Sequence, residues 1–132
     1  MRAVGIILAG GNSNKMRELT HKRAVAAMPI AGSYRAIDFA LSNMSNSHIQ
    51  KVAVLTQYNA RSLNEHLNSS KWWDFGRKQG GLYVFTPTIT AENGYWYRGT
   101  ADAIYQNLDF LKRCHEPYVI ITSGDAVYKM DY

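Results

Sequence analysis

An apolar run that ends in two glycines constrains the fold of this chain more than any other feature. Val4–Leu8 is apolar and short enough for a buried strand, and Ala9 joins it to Gly10 and Gly11. Glycine has no Cβ, so the backbone can bend sharply there and a phosphate group can approach its N–H groups. Lys15 follows in the same polar turn and could supply the opposite charge. The pattern predicts a strand followed by a phosphate-binding loop.

The rest of the chain alternates strand and helix patterns. Short apolar runs predict further buried strands over 52–56, 82–86 and 118–122, and apolar residues at helical spacing predict helices. These helices are expected over 35–46, 59–68 and 100–113, with Thr100 as the N-cap of the last. Residues 12–33 are polar and small and include Pro29, which indicates a long functional loop that could contain a turn of helix. Strands that alternate with helices predict right-handed βαβ units and an α/β fold with a mostly parallel sheet, covered on both faces.

Polar residues follow three of the four predicted strands. Gly10 and Gly11 come after the first strand, Gln57 after the second and Asp125 after the fourth. In open α/β sheets, ligands bind beyond the carboxyl ends of the strands, where parallel pairing brings distant residues together. We therefore expect one site for a nucleotide or a sugar phosphate at this edge. Taken alone, the glycines could form a strand-ending turn, and Asp125 could be a turn residue.

The charge of the chain favours a small anionic ligand over nucleic acid. A net charge of +5 is compatible with nucleic-acid binding, but the Lys and Arg residues are scattered and form no run of five or more. An aromatic group interleaved with basic residues could mimic a platform for single strands, yet core packing or a subunit interface fits it better. The aromatic group comprises Trp72, Trp73, Phe75, Tyr83, Tyr95, Trp96 and Tyr97.

The cysteine count, the histidine spacing and the hydropathy argue against an internal disulfide, a Cys- or His-based metal site and a membrane span. Cys114 is the lone cysteine, so it can form neither an internal disulfide nor a Cys-based metal site, which fits a reducing cytoplasm. No apolar run approaches the roughly 18 residues that cross a bilayer, so no membrane partner is expected. The histidines have no metal-ligand spacing, and we expect them at the surface or at helix caps. They are His21, His48, His66 and His115.

Short segments along the whole chain carry a resemblance to a known family. They are Leu8–Gly11, Glu18–Thr20, Lys22–Ala24, Tyr34–Arg35, Ile37–Asn43, Leu55–Tyr58, Trp96–Ala103, Tyr105–Asn107, Gly124–Asp125 and Tyr128–Tyr132. Together they resemble the bacterial glucose-1-phosphate adenylyltransferases of glycogen synthesis. The resemblance implies the Rossmann-like, three-layer α/β/α fold of nucleotide-diphospho-sugar transferases. It also implies that residues 1–132 are the N-terminal part of that domain, followed in longer family members by the rest of the domain and a left-handed β-helix.

The resemblance implies a reaction and a role for each candidate site residue. Family members join ATP and glucose 1-phosphate into ADP-glucose with Mg²⁺ and release pyrophosphate. The Gly10-Gly11 loop is then expected to wrap the triphosphate, with Lys15 as a degenerate phosphate contact. Gln57 and the Gly99-Thr100 pair would contact the adenine end, and Asp125 would bind the metal. A second acidic metal ligand and much of the sugar pocket lie outside the matching segments, so we expect no turnover from the 132-residue chain.

Departures from the family pattern favour a regulatory subunit. Ser13 occupies the position of a glycine in the family pattern, and Lys15 that of an arginine. The planar guanidinium of arginine can bind two phosphate oxygens at once. Val25 and Ala26 replace a lysine and a proline, and Ala126 replaces a histidine. These changes resemble the D-type second subunit found beside a catalytic paralogue, which implies a weakly active or inactive member of a heterotetramer. The alternative is a fully catalytic sugar nucleotidyltransferase that tolerates Lys15 and Val25.

Overall fold

The structure, a computed structural model, describes residues 2–11, 16–18, 23–57, 60–69, 73, 75, 81–87 and 96–132. Strands and helices alternate along the chain, as the apolar patterns predict. In order, the elements are β1 (Ala3–Leu8), a short 3-10 helix (Val25–Ala27), β2 (Pro29–Ile30), β3 (Tyr34–Arg35), α1 (Ala36–Asn46), β4 (Lys51–Leu55), α2 (Ala60–Ser69), β5 (Gly81–Phe85), α3 (Thr100–Gln106), α4 (Leu108–Arg113) and β6 (Tyr118–Ser123). This alternation confirms the predicted α/β class.

Within the described residues, four parallel strands form the central sheet, in the order β5-β4-β1-β6. The strand β1 lies between β4 and β6, and its last residue, Leu8, is opposite Leu55 on one side and Ser123 on the other. Nearly every residue of β1 and β4 is buried, as expected for parallel strands whose two faces are both covered. Because the strands are parallel, their carboxyl ends lie at one edge of the sheet.

The main core lies between the sheet and helices α1 and α2. Ile37, Leu41 and Met44 recur at helical spacing along α1 and are completely buried. Leu63 and Leu67 of α2 are buried in the same cluster. The apolar faces that the sequence predicts for these two helices are therefore confirmed.

The opposite face of the sheet is covered less completely, and its helix differs from the prediction. The expected helix over 100–113 is two helices, because Asn107 interrupts it. The Asn107 amide donates to the carbonyl of Ala103 at 2.8 Å and to the hydroxyl of Tyr97 at 2.9 Å, bonds that compete with a regular helix. Gly99, and not Thr100, is the N-cap residue. Tyr105 of α3 is 72% exposed.

The predicted long loop contains a small hairpin. The strands β2 and β3 pair antiparallel, and Ala31 and Gly32 between them have positive φ angles of 50° and 85°. Such a turn uses two residues in the left-handed region, which a pattern of polarity does not reveal. Other boundaries move by about one residue: α1 begins after Arg35, whose backbone is extended. Asn59, the first residue of the predicted second helix, lies outside the described residues.

Among the described residues, no helix is both long enough and apolar enough to cross a bilayer.

Cys114 is a free, half-buried thiol whose Sγ donates to the carbonyl of Phe110 at 3.2 Å. Burial raises the pKa of this thiol, although the charge of Lys51 acts in the opposite direction. A raised pKa makes the thiolate scarcer, as in a structural cysteine.

Candidate functional site

A cavity of about 680 Å³ lies at the carboxyl edge of the sheet. Its walls come from the ends of β1, β4 and β6, from the short 3-10 helix and from the segment that leads into α3. Sites for small organic ligands have volumes of roughly 300–1,000 Å³. The described lining residues are Leu8, Ala9, Gly10, Gly11, Val25, Ala26, Leu55, Gln57, Tyr97, Arg98, Gly99, Thr100, Ala103, Ser123 and Asp125.

The structure brings most of the predicted site residues to this one cavity. Gly10 and Gly11, Gln57, the Gly99-Thr100 pair and Asp125 all line it. Gly10, Gln57 and Asp125 are far apart in sequence and meet because the strands that end just before them are parallel neighbours, whereas the Gly99-Thr100 pair lies at the start of α3. Lys15 and Ser13 lie outside the described residues. The geometry supports a shared site, and the role of each residue stays a prediction.

Close packing of small residues fixes the wall that carries Asp125. The Gly124 amide donates to the carbonyl of Leu8 at 2.9 Å, which ties the turn after β6 to the end of β1. A Cβ on Gly124 would lie 3.2 Å from the Cβ atoms of Ala9 and Ala26, closer than about nine in ten Cβ contacts in proteins. A side chain at position 124 would therefore displace these neighbours by a few tenths of an ångström where the turn approaches the loop after β1.

Asp125 presents an exposed carboxylate to the cavity. The hydroxyl of Ser123 donates a hydrogen bond to its Oδ1, which orients the carboxylate. Magnesium is usually bound through one or two carboxylates, with water and substrate phosphates as the other ligands. Among the described residues there is no cluster of three or more His, Cys, Asp or Glu side chains that could hold a metal without such help. An oriented carboxylate in a nucleotide-sized cavity fits magnesium bound together with phosphate.

Side-chain hydrogen bonds fix the opposite wall. The Gln57 amide nitrogen donates to the carbonyl of Tyr97 at 3.4 Å. The Tyr97 ring is buried, and its hydroxyl accepts the hydrogen bond from Asn107. Burial raises the pKa of Tyr97, although the Asn107 hydrogen bond acts in the opposite direction. The amide of Arg98 donates to Asp102 Oδ2 at 2.9 Å, so residues 97 and 98 are both anchored.

A polar network behind the cavity holds the 3-10 helix that contributes Val25 and Ala26 to the lining. Arg35 Nη1 donates to Ser62 Oγ at 2.7 Å and to the carbonyl of Ala27 at 3.4 Å. The backbone amide of Arg35 donates to Asp38 Oδ2 at 2.9 Å, and Asp38 Oδ1 lies 2.6 Å from His66 Nε2. The expectation that His66 is a surface or capping residue is therefore wrong. It lies between α1 and α2, where the buried carboxylate of Asp38 requires a polar partner.

Residues 4–132 match the nucleotidyl transferase family. The chain belongs to this family. Over 129 residues, or 98% of the chain, it is 50% identical to the glucose-1-phosphate adenylyltransferases of Clostridium kluyveri and Clostridium perfringens. It is 48% identical to the enzyme of the same name from Thermosipho africanus. The match covers 34%, 33% and 31% of these proteins, so this nucleotidyl transferase chain spans about a third of their length.

Solved structures show the same fold at low sequence identity. A Bacillus anthracis protein assigned as a glucose-1-phosphate thymidylyltransferase, crystallised with sucrose, superposes with a TM-score of 0.69 at 21% identity over 98% of this chain and 46% of its own. HddC from Yersinia pseudotuberculosis superposes with a TM-score of 0.65 at 17% identity over 100% of this chain and 51% of its own. These similarities confirm the predicted Rossmann-like nucleotidyltransferase fold.

Sequence reasoning missed several lining residues of this nucleotidyl transferase. Arg98 and Tyr97 stand immediately before the Gly99-Thr100 pair, so their position beside a predicted contact was the available signal. Ser123, the last residue of β6, was missed because a hydroxyl at a strand end has no distinctive pattern.

The residues of the aromatic group differ in burial: Phe75 and Tyr97 are buried, whereas Trp96 is 55% exposed. Trp72 and Tyr95 lie outside the described residues.

Proposed function

We propose that this chain is the nucleotide-binding part of a glucose-1-phosphate adenylyltransferase subunit of glycogen synthesis. One observation carries the proposal: Gly10, Gln57 and Asp125, predicted separately as phosphate, base and metal contacts, line a single cavity. The 50% identity to adenylyltransferases named for this reaction supports the choice of ATP and glucose 1-phosphate as substrates.

In the proposed reaction, an oxygen of glucose 1-phosphate attacks the α-phosphorus of ATP. A new P–O bond forms, the bond from the α-phosphorus to the bridging oxygen breaks, and pyrophosphate leaves. Side chains do little covalent chemistry in phosphoryl transfer, so catalysis depends on alignment and on neutralising charge. In this chain, the backbone of Gly10 and Gly11 would approach the phosphates. Gln57, whose amide nitrogen is held by Tyr97, would keep its amide oxygen for a donor on the base.

The residues present fit a magnesium ion that arrives with the nucleotide. Asp125 would hold it, with its carboxylate oriented by Ser123. When bound, magnesium neutralises part of the triphosphate charge.

We further propose that the subunit turns over slowly on its own and modulates a catalytic paralogue in a hetero-oligomer. Val25 supports this, because an apolar side chain lines the cavity where the family resemblance implies a lysine. Loss of one positioned electrostatic donor costs roughly 3–4 kcal/mol of transition-state stabilisation, or two to three decades in rate. The second candidate is a fully catalytic subunit. It is favoured by Arg98, which contributes a positive charge to the cavity lining.

Formation of ADP-glucose by the protein tests both candidates. A full-length subunit that contains this chain is assayed with ATP, glucose 1-phosphate and magnesium, alone and together with a catalytic paralogue, because no turnover is expected from residues 1–132 by themselves. We expect slow turnover alone, and an increase of about tenfold or more in the combined variant Ser13→Gly, Lys15→Arg and Val25→Lys. Val119→Lys adds the same charge on exposed β6, outside the cavity lining, and should give no increase. Rates alone that equal those of the paralogue would overturn the regulatory proposal in favour of the catalytic one.

A further inference from the structure

The charges around the cavity are few and differ in position. Of the described lining residues, Arg98 carries the positive charge and Asp125 the negative one. They lie on opposite walls, because Asp125 follows β6 while Arg98 precedes α3, next to the Tyr97 carbonyl that receives Gln57 after β4. A bound nucleotide would bring several negative charges between them.

Arg98 stands on an anchored backbone and keeps its side chain available. Its amide is held by Asp102, and the preceding Tyr97 is buried with its hydroxyl held by Asn107. Within the described part of the chain, the Arg98 guanidinium makes neither a hydrogen bond nor an ion pair. Asp102 is the nearest carboxylate in sequence, and its Oδ2 accepts hydrogen bonds from the Arg98 amide and from Gln106 Nε2.

We propose that the guanidinium of Arg98 binds phosphate oxygens of the nucleotide in this cavity. This inference rests on the proposed function and adds to it a residue that neutralises charge. A guanidinium is permanently charged and presents a planar fork that matches two phosphate oxygens at once. Arg98 thereby supplies, from the wall opposite Asp125, a positive charge of the kind that is absent at Val25.

Calorimetric titration of the purified protein with ATP, inorganic pyrophosphate and adenosine tests this role. Arg98→Gln should weaken binding of ATP and pyrophosphate about tenfold to a hundredfold and leave adenosine binding unchanged. Arg98→Lys should show a smaller loss, because it keeps the charge without the fork. Arg113→Gln is the matched control, since Arg113 is an exposed cation on α4 that does not line the cavity. Higher salt concentration should reduce the difference in ATP affinity between wild type and Arg98→Gln.

Two results would overturn the inference, and they differ from a failure of the proposed function. Equal ATP affinities of wild type and Arg98→Gln would remove Arg98 as a phosphate contact and leave the nucleotide site intact. An equal loss for ATP and adenosine would assign Arg98 a structural role instead. A wild-type protein that binds neither ATP, pyrophosphate nor adenosine would overturn the proposed function together with the inference.

Discussion

The two walls of the cavity are built by different kinds of interaction. One wall, the small-residue wall, is held by van der Waals contact and backbone hydrogen bonds between the ends of β1 and β6. The other, the hydrogen-bonded wall, is held by side-chain amides, a carboxylate and a phenol around the start of α3. The small-residue wall consists of Ala9, Gly10, Ala26 and Gly124, and the hydrogen-bonded wall of Gln57, Tyr97, Arg98, Asp102 and Asn107.

The difference indicates how each wall should respond to substitution. Contact between small residues leaves little space, so an added methyl group on that wall must displace its neighbours by a few tenths of an ångström. Hydrogen bonds between side chains tolerate changes of volume but lose energy when a donor or an acceptor is removed. The first wall brings backbone amides and Asp125 together, and the second presents the side chains that would select a ligand.

The largest effect should come from adding volume at Gly124. Gly124→Val should lower the free energy of unfolding by about 2–3 kcal/mol, because its Cβ would meet Ala9, Ala26 and Ile7. Chemical denaturation measures this change. Gly11→Ala, in the loop after β1, is the control, since a Cβ there meets nothing within 4 Å, and it should stay within about 0.5 kcal/mol of wild type. Equal effects at both glycines would contradict the small-residue wall.

A smaller effect is expected from removing one hydrogen bond on the other wall. Tyr97→Phe should cost about 1 kcal/mol of unfolding free energy, because one amide N–H of Asn107 loses its acceptor while the other keeps its bond to the Ala103 carbonyl. Tyr105→Phe removes a hydroxyl from a tyrosine that is 72% exposed and serves as the control. A loss at Tyr97 no larger than that at Tyr105 would mean that this bond does not hold the wall.

The same tyrosine predicts a dependence on alkaline pH. Burial raises the pKa of Tyr97 in the folded state above its ordinary value of 10.0, so the unfolded state ionises first as pH rises. The stability that Tyr97 contributes is therefore complete below pH 10 and is lost as pH increases towards the folded pKa. The stability difference between wild type and Tyr97→Phe should shrink above pH 10. A difference that stays constant or grows would contradict the burial of this hydroxyl.

The smallest effect on stability is expected at Gln57. Its bond to the Tyr97 carbonyl is long, at 3.4 Å, so Gln57→Ala should cost about 0.5 kcal/mol or less. Alanine keeps the Cβ that packs close to Gly10. The ratio of ATP to GTP affinity should fall in this variant, because the amide that is proposed to contact the base is lost. An unchanged ratio would place base selection elsewhere in the site.

The sequence predicts the sheet and the shared position of the candidate residues well, because both depend on local patterns. The apolar runs of β1, β4 and β6 and the polar residues after them required only the rule that ligands bind beyond parallel strand ends. What the sequence did not reveal depends on which side chains meet in the folded chain. Asn107 interrupts a helix because Tyr97 and Ala103 accept its amide protons, and this pairing has no signature in local spacing.

The pair of Asp38 and His66 in the protein interior could not be predicted from local spacing either. Both residues are polar and lie on helices whose apolar faces were predicted correctly, so spacing alone directs them to the surface. They meet because α1 and α2 pack side by side and each residue provides the hydrogen bond that the other needs. Arg98 was missed although it precedes the predicted contact Gly99, because only the fold shows that it lines the wall opposite Asp125.

Magnesium-dependent ATP binding tests the central claim most directly, that the meeting of these walls forms a nucleotide site with Asp125 as its metal ligand. ATP is titrated into wild type, Asp125→Asn and Asp131→Asn with and without magnesium; Asp131 is an exposed carboxylate outside the cavity lining. Asparagine at position 125 can still accept the Ser123 hydrogen bond. We expect magnesium to strengthen ATP binding about tenfold in wild type and Asp131→Asn, and to have no effect in Asp125→Asn. An equal magnesium effect in all three proteins would contradict the account.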